Sequence, residues 1–194
     1  MLPVLMLLVV PAAENSAEPS EGQDAAVTAI EKLGGRVTFN NNAVLKVSFR
    51  SATVTDADLV HLKGLTSVVN VAVFNSTKVT GDGLVYLKGL DNLKSLYLPG
   101  TKIGDTGLKH LKEMTQLRNL YLQKTKVTDA GLEHLKSLAK LAVLYLTDTK
   151  VTDAGLEYLK GLTNLRYLHL ASTQVTDAGV KKLQQALPKC KIIR

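Results

Sequence analysis

The sequence predicts an α/β solenoid in which each coil supplies one short strand and one short helix. Three observations carry that prediction. The motif T-x-[VI]-[TG]-x-x-G-[LV] starts at Thr77, Thr101, Thr125, Thr149 and Thr173, always 24 residues apart. A fixed period in the twenties marks an array with one coil per repeat. Inside each repeat the apolar spacing switches from three residues to two, the change from a helical face to a strand face. The chain has 194 residues, 45% hydrophobic and 21% charged, with one Cys. That composition suits one globular domain with a tail. The lone Cys190 excludes an internal disulfide and a cysteine-based zinc cluster.

The N-terminus is a different material. Met1 to Val10 are almost entirely apolar, too short a run to span a bilayer. It has the length of a secretory apolar region, and Val10-Pro11-Ala12 offers small residues for cleavage. The basic flank such segments carry is missing, because the first base is Lys32. Residues 1–13 are therefore read as a signal peptide. A start placed too late, or a greasy tail, is the competing reading. Residues 14–23, with Glu14, Glu18 and Glu21 and no base, read as an acidic solvated linker. Without these 23 residues, 24 basic side chains face 14 acidic ones, so the body is strongly basic.

Residues 24–51 read as an N-terminal cap. An amphipathic helix over 24–33 stops at Gly34-Gly35, and strands follow over Val37 to Phe39 and Val47 to Phe49. Terminal units of an array must cover the first repeat in this way. The repeats occupy residues 52–182, with a first copy one residue out of step at Ala52. In the unit that starts at Thr125, Val127, Leu132, Leu135, Leu138, Leu141, Leu144 and Leu146 are the apolar set. Leu132, Leu135 and Leu138 stand three apart and share one face of a short helix. Leu144 and Leu146 stand two apart and share the buried face of a strand. No unit can bury this stripe alone, but stacked copies turn it into continuous ladders.

The turns agree. Thr and Asp of the TDAG segments, such as Thr152 and Asp153, precede the helix where caps belong. Gly83, Gly107, Gly131, Gly155 and Gly179 sit where helix propensity disfavours Gly, which points to close approach between coils. Gly64, Gly89 and Gly161 fit helix C-caps. The Thr that opens each unit is expected to hydrogen-bond loop backbone along the stack. Residues 183–194 read as the C-terminal cap, where Pro188 breaks the pattern. Lys189, Lys191 and Arg194 place charge around Ile192 and Ile193, which discourages edge pairing.

The run Leu141 to Thr149 (LAVLYLTDT), followed by KVTDAGLEYL, resembles the leucine-rich repeat family over about residues 44–194. The 24-residue TDxGL form is similar to bacterial repeats close to the cysteine-containing class of F-box substrate receptors, with Thr at the usual Asn or Cys position. The resemblance implies a right-handed solenoid with parallel strands on a concave face and helices on a convex one. It also implies binding of proteins or other macromolecules rather than catalysis.

On such strands, three alternating columns point away from the core. The central one reads Ala72, Tyr97, Tyr121, Tyr145, His169. Phe74 and Tyr167 stand in the columns beside it, and Lys94, Arg118 and Arg166 at the lip. Tyr with Arg on an open sheet is the composition of binding hot spots. The predicted partner site is therefore Phe74, Tyr97, Arg118, Tyr121, Tyr145, Arg166, Tyr167 and His169, with a protein as partner. Tyr is also simply a good cross-strand residue, and that reading stays open. Two lysine columns, Lys78/Lys102/Lys126/Lys150 and Lys63/Lys88/Lys112/Lys136/Lys160, suit either an anionic glycan or nucleic acid, or a solvated face copied with the repeat. No nucleic-acid motif accompanies them.

His61, His110 and His134 share a column with Tyr86 and Tyr158, a poor basis for a metal site. There is no phosphate loop, HExxH or GxSxG. No catalytic residue, metal or cofactor is expected. The functional reading is an exported binding scaffold. An intracellular adaptor of the F-box kind is the alternative, though only about 50 residues precede the repeats, and no stable membrane span is expected.

Overall fold

Strand pairing follows the repeat. The structure, a computed structural model, describes residues 21–194. The predicted signal peptide and residues 14–20 lie outside the described residues. One eight-stranded sheet runs in sequence order. Its strands are β1 (Gly35–Asn40), β2 (Ala43–Phe49), β3 (Asn70–Val73), β4 (Ser95–Tyr97), β5 (Asn119–Tyr121), β6 (Val143–Tyr145), β7 (Tyr167–His169) and β8 (Lys191–Ile193). β1 and β2 form an antiparallel hairpin, and every later pair is parallel. The register is the repeat itself: Leu96, Leu120, Leu144, Leu168 and Ile192 stand side by side.

The opposite layer is helical but tighter than α. The first two coils carry 3₁₀ segments, Ala57–Leu62 and Asp82–Leu87. Later coils open with one α turn, α2 (Asp105–Leu108), α3 (Asp129–Glu133) and α4 (Asp153–Leu156). Two of these run on as 3₁₀ over Lys109–Leu111 and Glu157–Leu159. A strict three-residue apolar spacing is the 3₁₀ period, because residues i and i+3 then eclipse. The third leucine of that spacing is not helical: Leu90, Leu138 and Leu162 fall in the turn beyond and are still buried. Each Leu so buried is worth about 1.5–3 kcal/mol relative to exposure. One continuous core of Leu, Val and Ile runs the length of the array.

The caps differ in extent from the sequence reading. The first helix, α1, runs Glu21–Lys32, so the last three residues read as linker form its first turn. The hairpin strands are longer than expected, and Phe39 and Val37 belong to one six-residue strand. At the other end, α5 (Asp177–Ala186) is a single helix that crosses the expected boundary at 182/183.

Successive coils are fastened by a polar interlock that the sequence reading divided wrongly. The Asp of TDAG does not serve its own helix. Asp129 Oδ1 accepts the Thr152 N–H at 2.8 Å and Oδ2 accepts the Thr152 hydroxyl at 2.7 Å, one coil on. Asp105 does the same with Thr128 and Asp153 with Thr176. Asp56 accepts from Thr80, Gly81 and Gly83. Thr128, Thr152 and Thr176 in turn cap their own helices, accepting from Ala130, Ala154 and Gly179 N–H groups. The carboxylate needs room, and the following Gly supplies it. A Cβ at Gly131, Gly155 or Gly179 would overlap the carboxylate of the preceding coil's Asp105, Asp129 or Asp153.

One joint is built differently. Gly81 stands where Asp is expected and Gly104 where Thr is expected, so both halves of the interlock are missing together. There a Cβ on Gly107 would lie 2.9 Å from the Gly81 Cα, so the two backbones meet directly.

The opening threonines point elsewhere than expected. Thr101, Thr125, Thr149 and Thr173 donate to the carbonyls of Leu98, Leu122, Leu146 and Leu170, three residues back in their own coil. In the unit that opens at Thr77, Ser76 is the fully buried residue and donates to Val54 of the preceding coil, while Thr77 is exposed. Along the stack the satisfaction is backbone to backbone: Lys102, Lys126, Lys150 and Gln174 N–H groups donate to carbonyls one coil earlier at 2.8–3.1 Å. After each of the strands β3 to β7 the chain turns through a left-handed residue, Asn75, Gly100, Lys124, Asp148 or Ser172. Of the three expected cap glycines, Gly64 and Gly89 have φ +85°, and Gly161 does not adopt that conformation.

Gly155→Ala should therefore cost about 1–3 kcal/mol in urea unfolding, the usual range for a forced overlap. Gly161→Ala, with nothing within 4 Å of its Cβ site, should change stability by less than about 1 kcal/mol. Equal losses at the two sites would contradict the interlock.

Candidate functional site

The outward columns of the strand layer become one surface. Ala72, Tyr97, Tyr121, Tyr145 and His169 pair in register across β3 to β7. Parallel strands lie about 4.8 Å apart, close to the thickness at which rings stack, and the rings do so. Tyr97 and Tyr121 have centroids 4.4 Å apart at 13°, Tyr121 and Tyr145 4.8 Å at 27°, and Tyr145 and His169 3.9 Å at 11°. Each such pair adds about 0.5–1.5 kcal/mol beyond burial. The row rests on the core leucines of β4 to β7, which point the other way and are fully buried.

The remaining predicted residues surround this row. Tyr167, on β7, is half exposed and borders it beside Val143 and Lys191. Arg118 is exposed at the lip. Arg166 is exposed too, but its guanidinium donates to the Thr163 and Leu165 carbonyls at 2.9 and 3.1 Å, which fixes its direction. Phe74 stands toward the N-terminal end, one coil before Tyr97, with the Arg50 guanidinium 5.4 Å from its ring centre. Arg50 is a member of this surface that the sequence reading passed over, because it lies in the cap and outside the repeat columns. Within the neighbouring column, Asn119 donates to Ser95 Oγ at 2.8 Å.

The two lysine columns differ in part, since Lys63 and Lys112 of the longer column form no ion pair among the described residues. Lys88, Lys136 and Lys160 pair with Glu113, Glu133 and Glu157 at 3.6, 3.1 and 2.5 Å. Lys78, Lys102, Lys126 and Lys150 are exposed and form no ion pair among the described residues. They line one flank, between strands and helices. A hollow of about 560 Å³ opens between two convex turns and is lined by Leu87, Lys88, His110, Glu113 and Met114 among others. Among the described residues no three His, Cys, Asp or Glu side chains come together as metal ligands. None of the helices described is long and apolar enough to cross a membrane. Cys190 is buried, and burial pushes its thiol up to about 11, so it carries no thiolate at neutral pH.

A tandem-repeat solenoid with an open, aromatic strand layer is a scaffold built to present a surface. Comparison with known proteins agrees on the solenoid fold. Leucine-rich repeat family models match residues 115–175 and 91–112. A leucine-rich repeat protein of Leptospira interrogans superposes with a TM-score of 0.57 at 24% identity, over 71% of this chain and 33% of that one. Two internalins of Listeria monocytogenes each superpose with a TM-score of 0.54. One is 21% identical over 79% of this chain and 48% of its own; the other, an internalin C2, is 26% identical over 88% and 61%. The chain thus spans from one third to about three fifths of these neighbours. No curated protein matches it. Residues 91–112 and 115–175 thus carry leucine-rich repeats, and the fold is that of a leucine-rich repeat solenoid.

Two histidines link this surface and the convex one to pH. Burial, reinforced by the Lys191 charge, holds His169 below its ordinary 6.5. Burial and Lys109, partly offset by Asp82, do the same to His110. A depressed histidine means that the unfolded chain takes up protons first as pH falls through 6.5, so stability present above that value is lost on acidification. The melting temperature should fall between about pH 7 and about pH 5, and His110→Gln/His169→Gln should flatten that fall. An unchanged slope in the double variant would contradict the assignment.

Proposed function

We propose that the chain docks a protein partner on its concave strand face, with Tyr97, Tyr121, Tyr145 and His169 at the centre and Arg118, Arg166, Tyr167 and Phe74 around them. The observation that carries this reading is the unbroken ring stack on an outward face. Stacking fixes the rings before any partner arrives, so little side-chain entropy remains to be lost on binding. Tyr and Arg are also the side chains on which interface energy concentrates. The structural neighbours share the architecture, which supports a binding role without naming a ligand.

Replacing Tyr121 and Tyr145 by Ala should leave a cooperatively folding protein, because the leucine ladders beneath are untouched. The variant should retain its circular dichroism yet bind proteins captured by the wild-type chain at least tenfold more weakly, the loss expected when a hot spot is truncated. Full affinity in a well-folded variant would overturn the proposal. The apolar run Met1 to Val10 and the small residues after it further support export. Mass spectrometry of the native N-terminus should then find cleavage near Ala12 or Ala13, and a retained Met1 would refute it.

A further inference from the structure

We infer that the concave face takes an acidic polypeptide segment, laid across the strands along the solenoid axis. This deepens the docking proposal above and rests on it.

Charge on the strand layer is one-sided. None of the eight strands contains Asp or Glu, in a chain with 17 acidic residues. The strands do contain Arg36, Lys46 and Lys191. Register places all three on the outward face: Arg36 opposite Ser48, which precedes Ala72 in the ring column, Lys46 beside Asn70, and Lys191 beside Tyr167. Arg50 stands with Phe74 at the same end, and exposed Lys94, Arg118 and Arg166 line the lip. Among the described residues none of these cations is in an ion pair. In the left-handed turns beyond the strands, Asp148 is matched by Lys124. The paired lysines, by contrast, sit on the helical side with the glutamates.

The rings narrow the class of anion. Both faces of Tyr121 and of Tyr145 are covered by stacked neighbours. What they offer outward is the ring rim, the positive part of an aromatic quadrupole, and the phenol O–H. Burial, then the flanking Tyr97 and Tyr145, keep the Tyr121 phenol above its ordinary 10, so it remains a donor. Nucleic-acid bases bind by stacking on free ring faces, and those inner rings have none to give. Carboxylates need donors and cations, and both are present. Six spacings of about 4.8 Å separate β2 from β8, roughly 29 Å, the reach of about nine extended residues.

The test uses fluorescent nona-glutamate and nona-glutamine peptides and a short DNA duplex against the full chain at low and moderate salt. Nona-glutamate should bind, weaken with salt, and outcompete the other two. Arg118→Glu/Arg166→Glu should lower its affinity at least about tenfold, and the milder Arg118→Gln/Arg166→Gln should do so by less. Lys78→Glu/Lys126→Glu, the same charge change on the flank, should cost clearly less than the concave pair. Equal binding of nona-glutamine, tighter binding of DNA, or an equal or larger loss from the flank variant would overturn the inference. If nona-glutamate fails to bind while Tyr121→Ala/Tyr145→Ala still abolishes partner capture, the acidic preference falls and the docking face stands. If that tyrosine variant captures normally, the docking face itself falls.

Discussion

The carboxylate that reaches from one coil to the next sets the geometry of everything else. Leucine ladders bury area but are nearly indifferent to small slips along the axis, because burial is not directional. An aspartate that must receive both an N–H and an O–H from one threonine is directional. Asp105, Asp129 and Asp153 each make that pair of bonds with the threonine of the following coil. Gly131, Gly155 and Gly179 each accommodate the carboxylate of the coil before, so Asp, Thr and Gly form one device. At Gly81 and Gly104 the Asp and the Thr are absent together, Gly107 is kept, and the backbones close directly on each other.

Register then decides what the surface is. A shift of one residue would turn every tyrosine of β4 to β6 inward and every leucine outward. Held in register, Leu96, Leu120, Leu144 and Leu168 are buried and the rings above them stack. The acid-free character of the strand layer follows the same logic. Carboxylates in this molecule work at the turns and among the convex lysines, where they bridge coils or pair with cations.

Much of this was legible in the sequence. Five equally spaced threonines gave the coil length, and spacings of three and two gave the two layers. Counting from those threonines placed Tyr97, Tyr121, Tyr145 and His169 in one row. What was not legible had identifiable causes. The partner of a hydroxyl or carboxylate depends on where the next coil lies, so Thr101 to Leu98 and Asp129 to Thr152 could not be told apart from capping by spacing alone. Ser76 holds the buried slot in the unit that opens at Thr77 because the repeat there is one residue longer, which a motif keyed on Thr77 passes over. The left-handed turns escaped notice because Asn75, Gly100, Lys124, Asp148 and Ser172 share a backbone conformation and no side-chain chemistry. Arg50 belongs to the surface through the hairpin, which lies outside the period.

Each coil contributes one rung to the aromatic row, and nothing else about the row depends on how many coils there are. Duplication of a 24-residue unit in the gene would lengthen the footprint by a single ring while leaving its cross-section unchanged. Loss of a unit would shorten it by the same increment. The surface is in effect a ruler whose graduations are set by backbone hydrogen bonding, and descendants of this chain can match longer or shorter ligands by copying rather than by redesign.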